Sequence, residues 1–228
     1  NDEDNIIIVE NFLSLYLKRS IEDIKGHVEV KSRNLPINNK KNKNKQVDLL
    51  LNLDGESINI ELTNRFSEGV KERNLIYASE VHGKQLSYGD NNYSEISRTL
   101  QICLNDFKCN KYGVKDTYYF RNEGGKILSK KFQIDYVDLV NAKEKRYNED
   151  EEDLAQFCRA LLCETREEFL MELGDIMEKE AKDKLVEEVD KYSRDDEVIA
   201  LYSAYSREEL ERNTYIKEAI EQGLAEGR

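Results

Sequence analysis

Two acidic residues, Asp48 and Glu61, sit in the stretch VDLLLNLDGESINIELT, residues 47–63, at a spacing that could do chemistry. Asp54-Gly55 near its middle is a strong signal for a two-residue β-turn, because both central positions of that turn need positive φ. Counting outward from such a turn sets Asp48 opposite Glu61. Directly opposed side chains have Cβ atoms about 4.5–5.5 Å apart. Two carboxylates that close repel each other unless a cation lies between them, and hard oxygen donors suit Mg²⁺ or Mn²⁺. The same acids also fit an ordinary hairpin with one face in water, and spacing alone leaves both readings open. Alternation puts Val47, Leu49, Leu51, Ile58, Ile60 and Leu62 on one, apolar face. It puts Asp48, Leu50, Asn52, Ser57, Asn59, Glu61 and Thr63 on the other.

Elements on either side must position this hairpin. Residues 5–19 place Ile6, Val9, Phe12, Leu13 and Tyr16 at helical spacing, and Glu10 lies on the same predicted helix. Residues 24–32 alternate as a strand. Helical period returns over 67–89, with Ser67 as the expected N-cap and Gly89 just past the end. Strands are predicted over 95–107, 116–122 and 131–139, the last two joined through Gly124-Gly125. This order predicts a mixed α/β core, a sheet flanked by helices, over residues 1–145. From 146 to 228 the texture becomes an acidic, all-helical extension, whose apolar clusters suit packing on the core or a homodimer formed through helices.

Charge is divided along the chain. The net −12 falls wholly on residues 141–228, whereas residues 1–140 balance 21 Lys and Arg against 21 Asp and Glu. Lys31 to Lys45 holds six basic residues and no acid. Lys40, Lys41, Lys43 and Lys45 there are either a solvated loop or phosphate contacts, since local charge sets attraction to a polyanion. Four cysteines without zinc spacing, and only two histidines, read as reduced thiols in a cytoplasmic protein rather than a structural zinc site. No stretch reads as a signal peptide, and no run is long and apolar enough to span a membrane.

VDLLLNLDGESINIEL followed by ERNLIYASEVHGKQLSYGDNNYSEISRTLQICLNDF resembles the PD-(D/E)XK nuclease family transposases, also called Rpn-type recombination-promoting nucleases. Asp48, Glu61, Arg73, Gln85, Gly89 and Tyr93 fall on positions of that family's pattern, and the resemblance runs through nearly the whole chain. There are two departures. The third core position, Gln in the family and Lys in the wider nuclease superfamily, is Thr63 here. The aromatic-rich head that usually precedes the first helix does not appear, so the chain is expected to begin inside the family pattern or to be a fragment.

The resemblance implies a restriction-endonuclease-like fold and metal-dependent endonucleolytic hydrolysis of DNA, associated with recombination or mobile elements. It implies that Asp48 and Glu61 hold Mg²⁺ (or Mn²⁺), with Thr63 in the third catalytic position. Arg73 and Gln85 would line the site, one on phosphate and the other in place of the missing third residue. Twelve residues apart, they do not share one helix face strictly. Glu10 is a further candidate for the metal, against a plain solvent-facing role. The alternative to a working nuclease is a family member that keeps the fold and binds DNA or protein without cleaving, which Thr63 suggests.

Overall fold

In the computed structural model, residues 5–32, 34–35, 45–85 and 92–193 are described. The chain divides into two compact units, residues 1–182 and 183–228. The first is a mixed α/β unit built on a six-stranded sheet. Its strands are β1 (Val28–Lys31), β4 (Leu49–Leu53), β5 (Glu56–Thr63), β6 (Thr99–Asn105), β7 (Lys115–Tyr118) and β8 (Phe132–Asp138), in the order β1-β4-β5-β6-β8-β7. β5, β6 and β8 run parallel, and the remaining neighbours pair antiparallel. A two-residue ribbon, β2 (Asn34–Leu35) with β3 (Lys45–Gln46), closes the base of the basic loop. Lys40, Lys41 and Lys43 lie outside the described residues, as do Gly89 and the chain from 194 onward.

The hairpin forms as the turn dictates. Asp54 and Gly55 take φ of 51° and 88°, both left-handed, and the pairing runs from Leu53↔Glu56 to Leu49↔Ile60. It stops there, one residue short of the expected Asp48–Glu61 pair, because the chain bends at Asp48. The bend also moves Val47 to the opposite face, where it packs with Leu50, Tyr77 and Val81. Leu62, at the other end of the expected apolar face, is 59% exposed.

Helices cover both faces. α1 (Ile6–Leu17) and α2 (Val70–Gly83) lie on opposite sides. α2 sits over the face carrying Asn59, Glu61, Gln101 and Cys103, with Ala78 in a buried cluster with Cys103, Ile134 and Tyr136. The N-cap of α2 is Gly69, not Ser67; the Ser67 carbonyl accepts from Val70 N–H. On the other face Tyr16 of α1 donates its hydroxyl to Asp135 at 2.7 Å. Phe12 stacks on Phe157 of α4 (Glu152–Ala160) at 5.0 Å between centroids. Three further helices complete the described structure: α3 (Leu139–Lys143), α5 (Arg166–Leu173) and α6 (Lys179–Ser193). No helix among the described residues is long and apolar enough to cross a membrane.

Glu10 faces inward and accepts Gly26 N–H at 2.6 Å, closing the loop after α1. It is a structural acceptor at the start of β1, not a solvent-facing residue. All four cysteines are free thiols, and burial pushes Cys103 and Cys158 up to about 12, so both stay protonated at neutral pH.

Candidate active site

At the C-terminal end of β5 the bend at Asp48 creates a reciprocal clasp. Asp48 Oδ2 accepts Leu62 N–H at 2.9 Å, and Asp48 N–H donates to Glu61 Oε1 at 3.3 Å. Side chains thus replace the backbone rung that the hairpin lacks. The two carboxylates share one end of the sheet, but their surroundings differ. Asp48 is exposed, whereas Glu61 lies beneath the α2 face at 4% exposure. Burial, and next the charge of Asp48, raise the proton affinity of Glu61 above that of an ordinary glutamate; Asn59, the Asp48 amide and Arg73 pull the other way.

The strand alternation that puts Glu61 on this face also puts Asn59, Thr63, Gln101 and Asn105 there, all buried. Asn59 Nδ2 donates to Glu61 Oε1 at 3.2 Å and to Gln101 Oε1 at 2.7 Å, so a short chain of amides steadies the carboxylate from behind. The sequence pattern by itself gives neither amide a role. The available signal was polar side chains recurring at every second position of what becomes the centre of a sheet, where apolar ones are the rule. Because Glu61 and its neighbours are covered by a helix, the hairpin is not an ordinary one with an open face.

The structure brings Arg73 into the same group. From the first turns of α2 its Nη2 donates to Thr63 Oγ1 at 2.8 Å. Gln85 stands elsewhere. Its Nε2 donates to Thr99 Oγ1 at 2.7 Å and its Oε1 accepts Ser97 N–H at 2.8 Å; His82 Nδ1 meets the same Thr99 hydroxyl at 2.8 Å. Thr99 pairs with Ser57, four residues before Glu61, which is about 13 Å along the strand. Lys45 is placed by its backbone in the β2–β3 ribbon, three residues before Asp48.

The donor set suits a hard divalent cation. Each carboxylate reaches the backbone of the other's strand, Glu61 is buried within the influence of the Asp48 charge, and a cation held by both would relieve that repulsion. Among the described residues no group of three or more His, Cys, Asp or Glu could hold a metal. The protein would therefore offer Asp48 and Glu61, with remaining positions left to oxygens of substrate and water.

A six-stranded mixed sheet between helices, with paired acids at the end of a central hairpin, defines a restriction-endonuclease-like α/β protein. Residues 1–219 match the family described as PD-(D/E)XK nuclease family transposase, and the chain belongs to that family. Neither the curated proteins nor the solved structures provide a match. Membership implies DNA as the partner class, and nucleases of this kind generally use divalent metals.

Proposed function

We propose that this protein is a divalent-metal-dependent DNA endonuclease, acting in recombination or on mobile elements, in which Asp48, Glu61, Thr63 and Arg73 form the working group. The observation that carries this reading is the buried Glu61 carboxylate set against Asp48 and drawn tight by the clasp. A bound Mg²⁺ or Mn²⁺ would polarise the scissile phosphate and acidify a nearby water. Asp48 and Glu61 supply the negative oxygen ligands, while Asn59 fixes the Glu61 carboxylate and Gln101 fixes Asn59.

Thr63 lacks the charge that a lysine would bring to its position. Arg73 supplies one, with its guanidinium on the Thr63 hydroxyl and close enough to Glu61 to lower its proton affinity. An arginine does not give up its proton near neutral pH, so its part is to hold a phosphate and offset the charge that develops on it. Lys40, Lys41, Lys43 and Lys45 belong to this reading as contacts to the flanking phosphate backbone. By its bonds to Thr99 and Ser97, Gln85 acts from a distance, anchoring the end of α2. The nuclease core on this reading is residues 1–145. The acidic region from 146 onward is, on this reading, an extension through which two copies of the chain pair.

Incubating plasmid DNA with the full chain and Mg²⁺ or Mn²⁺ tests the proposal. Wild type should nick, Asp48→Ala and Glu61→Ala should not, and Arg73→Ala should cut about 100-fold more slowly. Thr63 favours one competing reading, a family member that binds DNA without cleaving it. An inert wild type that still binds DNA across a range of metals would establish that reading, and variants that cut as well as wild type would remove the carboxylates from the chemistry.

A further inference from the structure

Beside the carboxylate pair, at the C-terminal ends of β5 and β6, apolar side chains stand in solvent. Leu62 is 59% exposed and Phe66 is 60% exposed. The Phe66 ring meets Phe107 edge to face, with centroids 5.7 Å apart and planes at 73°. Single exposed apolar residues are common on protein surfaces and need no explanation. Position sets these apart. The Leu62 amide holds Asp48, and the carbonyl of Thr63 accepts Asp106 N–H at 2.9 Å, tying the residue before Phe107 to the site. Phe66 follows Glu61 by five residues, a reach of at most about 18 Å. The rings therefore stand within a few nucleotide steps of the carboxylates, given about 3.4 Å per stacked nucleotide along one strand.

The edge-to-face arrangement matters too. Whichever ring offers its edge, at least one face of Phe66 stays uncovered by Phe107, consistent with its exposure. In the chain Arg65, with part of its guanidinium buried, precedes Phe66, and Lys108 follows Phe107, which is itself preceded by the exposed Asp106. Lys108 is half in solvent, where it pairs with Glu144 at 2.7 Å. Surfaces that bind single-stranded nucleic acid combine these two features, rings on which bases stack and cations that track the backbone.

We propose that Phe66, buttressed by Phe107, is a stacking site for an unpaired nucleobase within a few nucleotides of the scissile phosphate. The preferred substrate class is then DNA that is single-stranded or locally opened, because a base within a duplex has both faces covered by its neighbours. This inference rests on the nuclease reading for the identity of the polymer, and it extends that reading to substrate form.

The chain contains no tryptophan, so Phe66→Trp in the full chain introduces a single reporter at the site. With metal chelated, so that nothing is cut, the variant is titrated with a single-stranded oligonucleotide and separately with the blunt duplex of the same sequence. Binding is followed independently by the anisotropy of a label on the DNA. Single strand should quench the tryptophan saturably, and duplex should leave most of the emission in place. Phe66→Ala, checked for native folding by circular dichroism, should weaken single-strand binding about tenfold and duplex binding much less. Unchanged emission at saturation, equal losses on both DNA forms, or no binding of single strand at all would overturn the stacking site. Because no step needs cleavage, the two readings separate. A protein that cuts plasmid but shows no quenching loses only the stacking site, and one that never cuts but is quenched by single strand loses only the nuclease assignment.

Discussion

Glu61 and Asp135 are both buried on inner strands of the sheet, at 4% and 1% exposure, but on opposite faces and in different company. Asp135 has a short bond on each oxygen, from the Tyr16 hydroxyl and from Gln133 Nε2, both at 2.7 Å and both from neutral groups. Its neighbour in sequence, Asp138, is similarly settled, accepting the amides of Cys109, Asn110 and Asn141 at 2.7–2.9 Å. Glu61 instead receives two longer bonds on one oxygen, at 3.2 and 3.3 Å, and faces another carboxylate. Asp135 and Asp138 organise the fold; Glu61 carries an unresolved repulsion. Burial alone does not single out an acid as a site candidate; burial beside a like charge is what distinguishes Glu61 here.

The widest gap between the two acids should appear in cutting. Glu61→Ala should lower plasmid nicking by at least about 100-fold, while Asp135→Asn should leave the rate per folded molecule close to wild type. In urea denaturation the order should reverse: Asp135→Ala should lose about 3 kcal/mol, since it strands the Tyr16 hydroxyl and the Gln133 amide, and Glu61→Gln should lose nothing. Equal behaviour of the two acids in both assays would dissolve the distinction.

A smaller effect concerns pH. The folded state holds the Glu61 proton above the ordinary glutamate value of 4.5, so folding favours the protonated form. That contribution is fully present below the ordinary value and is lost as pH climbs from there through the raised one. Relative to Glu61→Gln, wild type should therefore lose melting temperature over that climb. Millimolar Mg²⁺ at neutral pH should restore it in wild type but not in the variant.

The smallest effect sharpens the comparison along a single face. Gln85→Ala should cost about 1 kcal/mol of stability, measured by thermal melting, and leave nicking unchanged. Abolished nicking with an unchanged melt would extend the working group about 13 Å further, to Thr99.

Local geometry explains what was legible in the residues. The Asp54-Gly55 turn set a register that holds for five cross-strand pairs, because its two positive φ angles permit little else. That logic failed at Asp48, where a side chain captured Leu62 N–H and the strand bent; no periodicity reports such a capture. The cover provided by α2 was equally hidden. The helix buries Asn74 and leaves Leu75 and Ile76 exposed, so its apolar pattern does not say which face meets the sheet. The family pattern located Arg73 and Gln85 but could not say that one turns to Thr63 and the other to Thr99, since that depends on where α2 crosses the strands.

The clasp at Asp48 has a consequence for descent. Its carboxylate replaces a missing rung of the hairpin, so a lineage that stopped cleaving DNA would still be under selection to retain it. Glu61 accepts only two long bonds on one oxygen, and a neutral isostere such as glutamine would keep that acceptor while relieving the repulsion. In decaying copies Glu61 should drift first and Asp48 last. On the proposed reading, a surviving aspartate in a descendant would say little about whether it still cuts DNA, and a surviving glutamate would say more.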